Sequence, residues 1–278
     1  MSDKERIEGY IKASFGGGSP SRRGRSVRDG YARGWGLQFG KIAEQVSTDP
    51  LYLDAVAASG GRSVVSEHNR MNLFLIIGAY LSSLSPGHIV EYGTYRGGNA
   101  IFMAYVAKRL LPDIRVYALD TFGGMPATDS DIDAHSAGDF AGVDLAELTE
   151  HANSLGLNNL VFVKGLFEQT APDVLREAKR VSLAHIDCDI YSAVKYAYLA
   201  SKPYMTEGGY YVFDDATVSS CLGATEAVEE VVVQADGKFS EQIYPQFVFR
   251  HFRESGLRPA IARMFRSYAA SLCRASNE

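Results

Sequence analysis

The stretch HIVEYGTYRGGNA, residues 88–100, decides the fold. HIVEY (88–92) has the short, apolar character of a buried strand, and NAIFMAYVAKRLL (99–111) has that of a helix. A strand that runs through a glycine turn into a helix is the opening unit of a parallel α/β sheet. Gly93 permits the sharp turn, while Gly97 and Gly98 allow close backbone approach to a ligand. The spacing is G-x-x-x-G-G, with Tyr95 standing where a dinucleotide fingerprint requires its second glycine. That weighs against a nicotinamide cofactor.

The same rhythm repeats down the chain. RVYALD (115–120), LVFVKG (160–165), VSLAHID (181–187) and GGYYVFDD (208–215) are strand-like. Between them lie the helical segments VDLAELTEHANSLG, APDVLREAKR and YSAVKYAYLASKPYM, the first stopping at Gly156. LGATEAVEEVVVQA is helical too, and KFSEQIYP with FVFRHF reads as a closing antiparallel pair. Alternation of this kind predicts a mostly parallel sheet with helices on both faces, and the closing antiparallel pair matches the seven-stranded, Rossmann-like class I methyltransferase variant better than a plain dinucleotide fold. Upstream, Asp49 and Pro50 mark the start of a short helix, and NRMNLFLIIGAYLSSLS (69–85) predicts a buried one ending before Pro86. The organisation expected is an N-terminal extension over 1–64, a catalytic domain over 65–255 and a C-terminal amphipathic helix over 256–278.

Composition narrows the function classes. The net charge of −5 argues against nucleic acid as partner, and no apolar run approaches the ~18 residues of a membrane span. Cys188, Cys221 and Cys273 are odd in number and lack zinc-ligand spacing, which predicts free thiols in a reducing cytoplasm. Arg22, Arg23, Arg25 and Arg28 lie in a Gly/Ser-rich stretch that reads as a solvated tail or mobile cover. Trp35 is a candidate substrate platform. In LRPAIARMFRSYAASL (257–272) one apolar face docks either on its own domain or across a homodimer.

Four carboxylates carry the chemistry. Asp187 and Asp189 end one strand, Asp214 and Asp215 the next, and about one right-handed crossover separates the pairs. Neighbouring parallel strands therefore bring both pairs to one edge. Alternation sends Asp187 and Asp189 the same way if the strand persists that far. Crowded acids repel, and a hard divalent cation such as Mg²⁺ or Ca²⁺ offsets that repulsion. Glu91, at the end of the first strand, suits a ligand ammonium group; Asp120, ending the second, suits ribose hydroxyls. Two such acids around a glycine turn match the needs of S-adenosylmethionine. His185, two before Asp187, reads as a buried, hydrogen-bonded histidine. The polar loop 123–142 is long enough to act as a lid.

EYGTYRGGNA, DTFGGMP (120–126), VKGLFEQTAP (163–172), HIDCDIYSA (185–193) and GGYYVFDDAT (208–217), in this order, resemble the metal-dependent macrocin-type O-methyltransferases, which methylate sugar hydroxyls. The resemblance covers roughly residues 65–252. It implies that Glu91, Gly93, Tyr95, Arg96, Gly97 and Gly98 surround the methionine end of S-adenosylmethionine. It places Asp120 and Phe122 on the ribose and adenine, with Lys164, Gly165 and Phe167 along the adenine pocket. Asp187, Asp214 and Asp215 become the Mg²⁺ ligands, Asp187 also bordering the cofactor, and Asp189 becomes the general base. The chain carries TFGG (121–124) where the family often has Ser-Phe-Glu-Gly, and Leu166 where it often has Trp. The acceptor implied is a small-molecule or oligosaccharide sugar. The alternatives are a catechol-type enzyme acting on phenolic diols and a non-catalytic ligand-binding protein on the same fold.

Overall fold

The computed structural model describes residues 21–22, 25–26, 41–218, 220–242 and 245–252. The expectations on Arg23, Arg28, Trp35, Cys273 and the helix over 257–272 lie outside these residues. In the N-terminal stretch, Ser21–Arg22 pairs antiparallel with Arg25–Ser26.

The main sheet comprises β1 (His88–Tyr92), β2 (Val116–Asp120), β3 (Leu160–Lys164), β4 (Val181–Ile186), β5 (Met205–Phe213) and β6 (Phe247–Arg250). Its order is β3-β2-β1-β4-β5-β6, parallel throughout except for β6, which runs antiparallel to β5. The strand order reverses between β1 and β4, and ligands bind at the carboxyl ends of strands flanking such a switch.

Among the described residues this sheet has six strands, not the seven expected. Among its described residues the segment 238–245 contributes an isolated bridge between Gln242 and Val248. Val248 is met there by backbone and side chain together: its carbonyl accepts from the Glu241 N–H at 2.7 Å and lies 3.1 Å from the Ser240 hydroxyl, which itself accepts from the Val248 N–H at 2.9 Å.

Alternation along the strands sorts the core into two layers. Val90, Tyr92, Tyr117, Leu119, Ala184, Ile186, Tyr211 and Phe213 face one side. Ile89, Val116, Leu183, Tyr210 and Val212 face the other. The helices are α1 (Ile42–Ser47), α2 (Pro50–Ser59), α3 (Glu67–Leu75), α4 (Gly98–Leu110), α5 (Leu145–Ser154), α6 (Phe167–Ala178), α7 (Tyr191–Ser201) and α8 (Leu222–Ala227). The first five cover the Ile89 face and the last three the Val90 face. Each fully buried large apolar side chain contributes about 1.5–3 kcal/mol. That reserve supports the costly charges at the sheet's edge.

Local signals held where the chemistry is local. Asp49 caps α2, accepting from the N–H groups of Leu51 at 2.8 Å and Tyr52 at 3.2 Å, and Gly156 is left-handed (φ +67°) just past α5. Several helical segments differ from expectation. The one over 222–235 is α-helical only to Ala227 and π-helical over Val228–Ala235, and the one over 191–205 gives way to a 3₁₀ turn over Lys202–Tyr204 and to β5 at Met205. The 69–85 segment is α-helical only to Leu75, then makes a π-helical turn over Ile76–Tyr80 and a 3₁₀ turn over Leu81–Ser83. Helix α6 begins at Phe167, before Pro172, because the Leu166 carbonyl already accepts from the N–H groups of Gln169 and Thr170. Pro172 then sits inside the helix and deletes one of its hydrogen bonds.

Candidate active site

A cavity of about 530 Å³ opens at the carboxyl ends of β1, β2, β4 and β5. Glu91, Gly93, Tyr95, Asp120, Phe167, Asp187, Asp189, Asp214 and Asp215 are all in its wall. Gly93 has φ +84°, and a Cβ there would lie 1.7 Å from the Asp187 carbonyl oxygen. The glycine thus lets the β1 turn pass against the end of β4, where the Asp187 N–H donates to the Tyr92 carbonyl at 2.9 Å.

Gly97 and Gly98 are filled from within the protein. A Cβ on Gly97 would meet the Leu148 side chain of α5 at 2.6 Å, and one on Gly98 would meet the Ser63 nitrogen at 2.2 Å. Arg96 is exposed and stacks over the Tyr95 ring. Phe122 is buried edge-on against Phe162, and Lys164 is exposed. The Gly165 N–H donates to the Asp120 carbonyl at 2.9 Å. None of these six sequence-derived positions lines the cavity, whereas Phe167 lines it and packs edge-on against Tyr92.

Asp120 staples the glycine turn to β2. Its Oδ2 accepts from the N–H groups of Thr94 and Tyr95, both at 2.8 Å, and its Oδ1 from that of Phe122 at 2.7 Å. Of the roughly four acceptor positions of a carboxylate, backbone N–H groups fill three. Glu91 is fully buried. It accepts from Asn99 Nδ2 at 2.8 Å and from the Thr94 hydroxyl, and it meets His185 Nδ1 at 3.1 Å.

His185 is wholly buried between Glu91 and Asp214, whose Oδ1 lies 3.4 Å from its Nε2. Burial alone lowers the imidazole's pKa, but hydrogen bonds to Asp214 and Glu91 outweigh it and push the pKa up to about 9. The expectation of a buried, hydrogen-bonded histidine holds, and its partner Asp214 belongs to the acid cluster.

Asp187, Asp214 and Asp215 bring one carboxylate oxygen each within 4.8 Å of one another. Burial, followed by repulsion from Asp214 and Asp215, raises the Asp187 carboxyl well above the usual carboxylate range. Burial and then the charges of Asp189 and Asp214 do the same to Asp215. An all-oxygen set of crowded acids fits a hard divalent cation. Outer partners orient the set: Asn69 Nδ2 donates to Asp214 Oδ1 at 2.9 Å, and the Asp189 N–H to Asp215 Oδ2 at 3.0 Å. Such partners fix the direction in which a ligand oxygen points.

Asp189 departs from simple alternation. Strand β4 stops at Ile186 and Asp189 adopts a left-handed backbone (φ +60°). Its carboxylate swings to Cys221 and His135 instead of joining Asp187. Burial raises its pKa, with His135 opposing. Sequence reasoning missed Asn69, Asn99, His135 and Cys221. The first two were visible only as amides inside apolar helical segments, and the last two are brought in by long-range folding.

The loop 123–142 is pinned at its middle, where Asp133 Oδ1 accepts from the N–H of Tyr191, the first residue of α7, at 2.8 Å. No helix among the described residues is long and apolar enough to cross a membrane. Cys188 and Cys221 are free and buried.

A family model described as Macrocin-O-methyltransferase (TylF) matches residues 61–235. The chain is 27% identical over 186 residues to a tetracenomycin-C 4'-O-methyltransferase of Streptomyces olivaceus acting on an 8-demethyl-8-(2,3-dimethoxy-alpha-L-rhamnosyl) derivative, covering 63% of this chain and 70% of that protein. It is also 27% identical to the mycinamicin III 3''-O-methyltransferase of Micromonospora griseorubida, covering 52% of this chain and 60% of the relative. Among solved structures, the calicheamicin methyltransferase CalS11 superposes with a TM-score of 0.57 at 20% identity, over 84% of this chain and 99% of that one.

Proposed function

The chain belongs to the macrocin O-methyltransferase family and is an O-methyltransferase; from that premise we propose that it methylates a sugar hydroxyl, using S-adenosylmethionine as methyl donor and Mg²⁺ held by Asp187, Asp214 and Asp215. The observation that carries this reading is the convergence of those three carboxylates in the cavity that Glu91, Gly93 and Asp120 also border. Two relatives, one named for a rhamnosyl-tetracenomycin and one for mycinamicin III, support a sugar or glycoside acceptor.

Glu91 supplies negative charge near the methionine end of the donor, and a ribose hydroxyl reaches Asp120 at Oδ1, where among the described residues there is, besides the Phe122 N–H, only the long Thr121 hydroxyl contact at 3.4 Å. Phe167 and Leu166 offer apolar wall to the adenine. When bound, Mg²⁺ supplies Lewis acidity and the positive charge that offsets repulsion among its ligands. Asp189 takes the proton of the acceptor hydroxyl on a carboxylate oxygen. Its burial-raised pKa brings it nearer the working range of a general base. S-adenosylmethionine would supply an electrophilic methyl carbon to the acceptor oxygen, with a neutral thioether as the leaving group. Alignment of the two substrates contributes on the order of 7 kcal/mol or more in favourable intramolecular cases.

The test is a screen of sugar and glycoside acceptors with labelled S-adenosylmethionine, run with Mg²⁺ and with EDTA. Label transfer to a sugar that EDTA abolishes is expected, together with a loss of ~100-fold or more in Asp189→Asn while donor binding is retained. Transfer to catechols but not sugars, or EDTA-insensitive turnover, would overturn the reading.

A further inference from the structure

Beside the all-oxygen trio lies a second convergence of different chemistry. His135 comes from the loop 123–142, Asp189 from the turn after β4, and Cys221 from the residue preceding α8. Cys221 Sγ lies 3.4 Å from Asp189 Oδ1 and 3.7 Å from His135 Nε2, and His135 Nε2 lies 3.7 Å from Asp189 Oδ1. A tetrahedral zinc ion with bonds of about 2.3 Å to sulfur and 2.0–2.1 Å to nitrogen and oxygen needs ligand edges of roughly 3.3–3.6 Å. The observed triangle is one face of that tetrahedron within a few tenths of an ångström.

The outer shell has the matching form. His135 turns its other nitrogen, Nδ1, to Asp139 Oδ2 at 3.4 Å, and the Ser136 N–H holds the same oxygen at 2.9 Å. A carboxylate behind the free ring nitrogen is what fixes a histidine whose other nitrogen binds metal. All three residues line the cavity, which gives an ion an entry route and leaves its fourth position to water.

We propose that His135, Asp189 and Cys221 form a second metal site, selective for Zn²⁺ or a similar borderline ion, and that its occupation switches off methyl transfer by engaging Asp189. The inhibitory consequence rests on Asp189 being the base; the binding does not. Sulfur and imidazole donors select against Mg²⁺, so the two neighbouring sites sort ions by softness. Coordination replaces the thiol proton, which leaves to solvent. The ion also joins the loop 123–142 to the start of α8, holding the cavity's rim in one arrangement.

Cobalt(II) is the probe, titrated into metal-free full-length protein. A thiolate-to-cobalt charge-transfer band that saturates near one equivalent, is displaced by Zn²⁺ and resists excess Mg²⁺ is expected. Cys221→Ser should abolish the band, Asp187→Asn should retain it, and His135→Ala should weaken cobalt binding by about tenfold or more. Absence of the band, its persistence in Cys221→Ser, or its displacement by Mg²⁺ would overturn the site. Zn²⁺ inhibition at saturating Mg²⁺ should be lost in Cys221→Ser. A normal band without inhibition would retain the site, remove its regulatory role, and leave the Mg²⁺-dependent reaction untouched.

Discussion

Replacing Gly93 by alanine tests how the glycine turn and the acid cluster depend on each other. The new Cβ would sit 1.7 Å from the Asp187 carbonyl oxygen, 2.7 Å from its carbonyl carbon and 3.1 Å from the Cys188 Cα. All three are backbone atoms, so no rotamer change relieves the contact. Opening it from 1.7 Å to even 3.0 Å moves Asp187 away from β1 by about 1.3 Å. That displacement breaks the Asp187 N–H bond to the Tyr92 carbonyl, worth about 1 kcal/mol. A left-handed non-glycine residue adds about 1–3 kcal/mol of strain. The sum, about 2–4 kcal/mol, lowers Tm by roughly 5–15 °C in a domain of this size. Because Asp187 is one of three converging acids, Mg²⁺ affinity should fall by ~100-fold or more. Gly142→Ala is the internal control: its φ of +81° nearly equals that of Gly93, but nothing lies within 4 Å of its Cβ. Thermal unfolding and Mg²⁺ calorimetry on the two variants separate strain from displacement. Equal destabilisation of both, with Gly93→Ala binding Mg²⁺ as the parent does, would refute the reasoning.

Further outcomes are expected from other contacts. With burial opposing, hydrogen bonds to Asp214 and Glu91 push the His185 pKa from an ordinary 6.5 up to about 9; the stability this confers is therefore complete below pH 6.5 and lost as pH rises through 9. Denaturant unfolding in EDTA should show a decline of up to about 3 kcal/mol across that window, and His185→Asn should flatten it. Asn69→Ala removes the donor to Asp214 Oδ1 and should weaken Mg²⁺ binding by about 10–100-fold with the fold intact; unchanged calorimetry would remove Asn69 from the site's support. Asp133→Ala frees the Tyr191 N–H, and should cost about 1–2 kcal/mol while making the loop 123–142 more susceptible to limited proteolysis.

The parts of this architecture that depend on neighbours in sequence were legible in it. The strand–turn–helix at 88–100, the Asp49 cap and the stop at Gly156 follow from steric and hydrogen-bonding rules acting over a few residues. Placing Asp187, Asp214 and Asp215 together needed only parallel order and strand length. Asp189 was harder, because two-residue alternation ends with the strand at Ile186 and a left-handed turn redirects the side chain. Gly97 and Gly98 looked like room for a ligand, since nothing local announces that Leu148 and Ser63 fill them. The seventh strand is reduced, among the described residues, to one bridge, where the Ser240 hydroxyl takes the Val248 N–H while the Glu241 N–H takes its carbonyl. Hydrophobic patterning carries no trace of a side chain entering a ladder.

The tether at Asp133 changes how the entrance can open. A twenty-residue span fixed only at its ends would swing freely across the mouth. Here Met125 bonds through its backbone to both Gly138 and Asp139, which closes the span into one folded piece, and Asp133 fastens that piece to the N-terminus of α7. The entrance therefore widens in one concerted step, when the whole piece leaves α7, and not residue by residue.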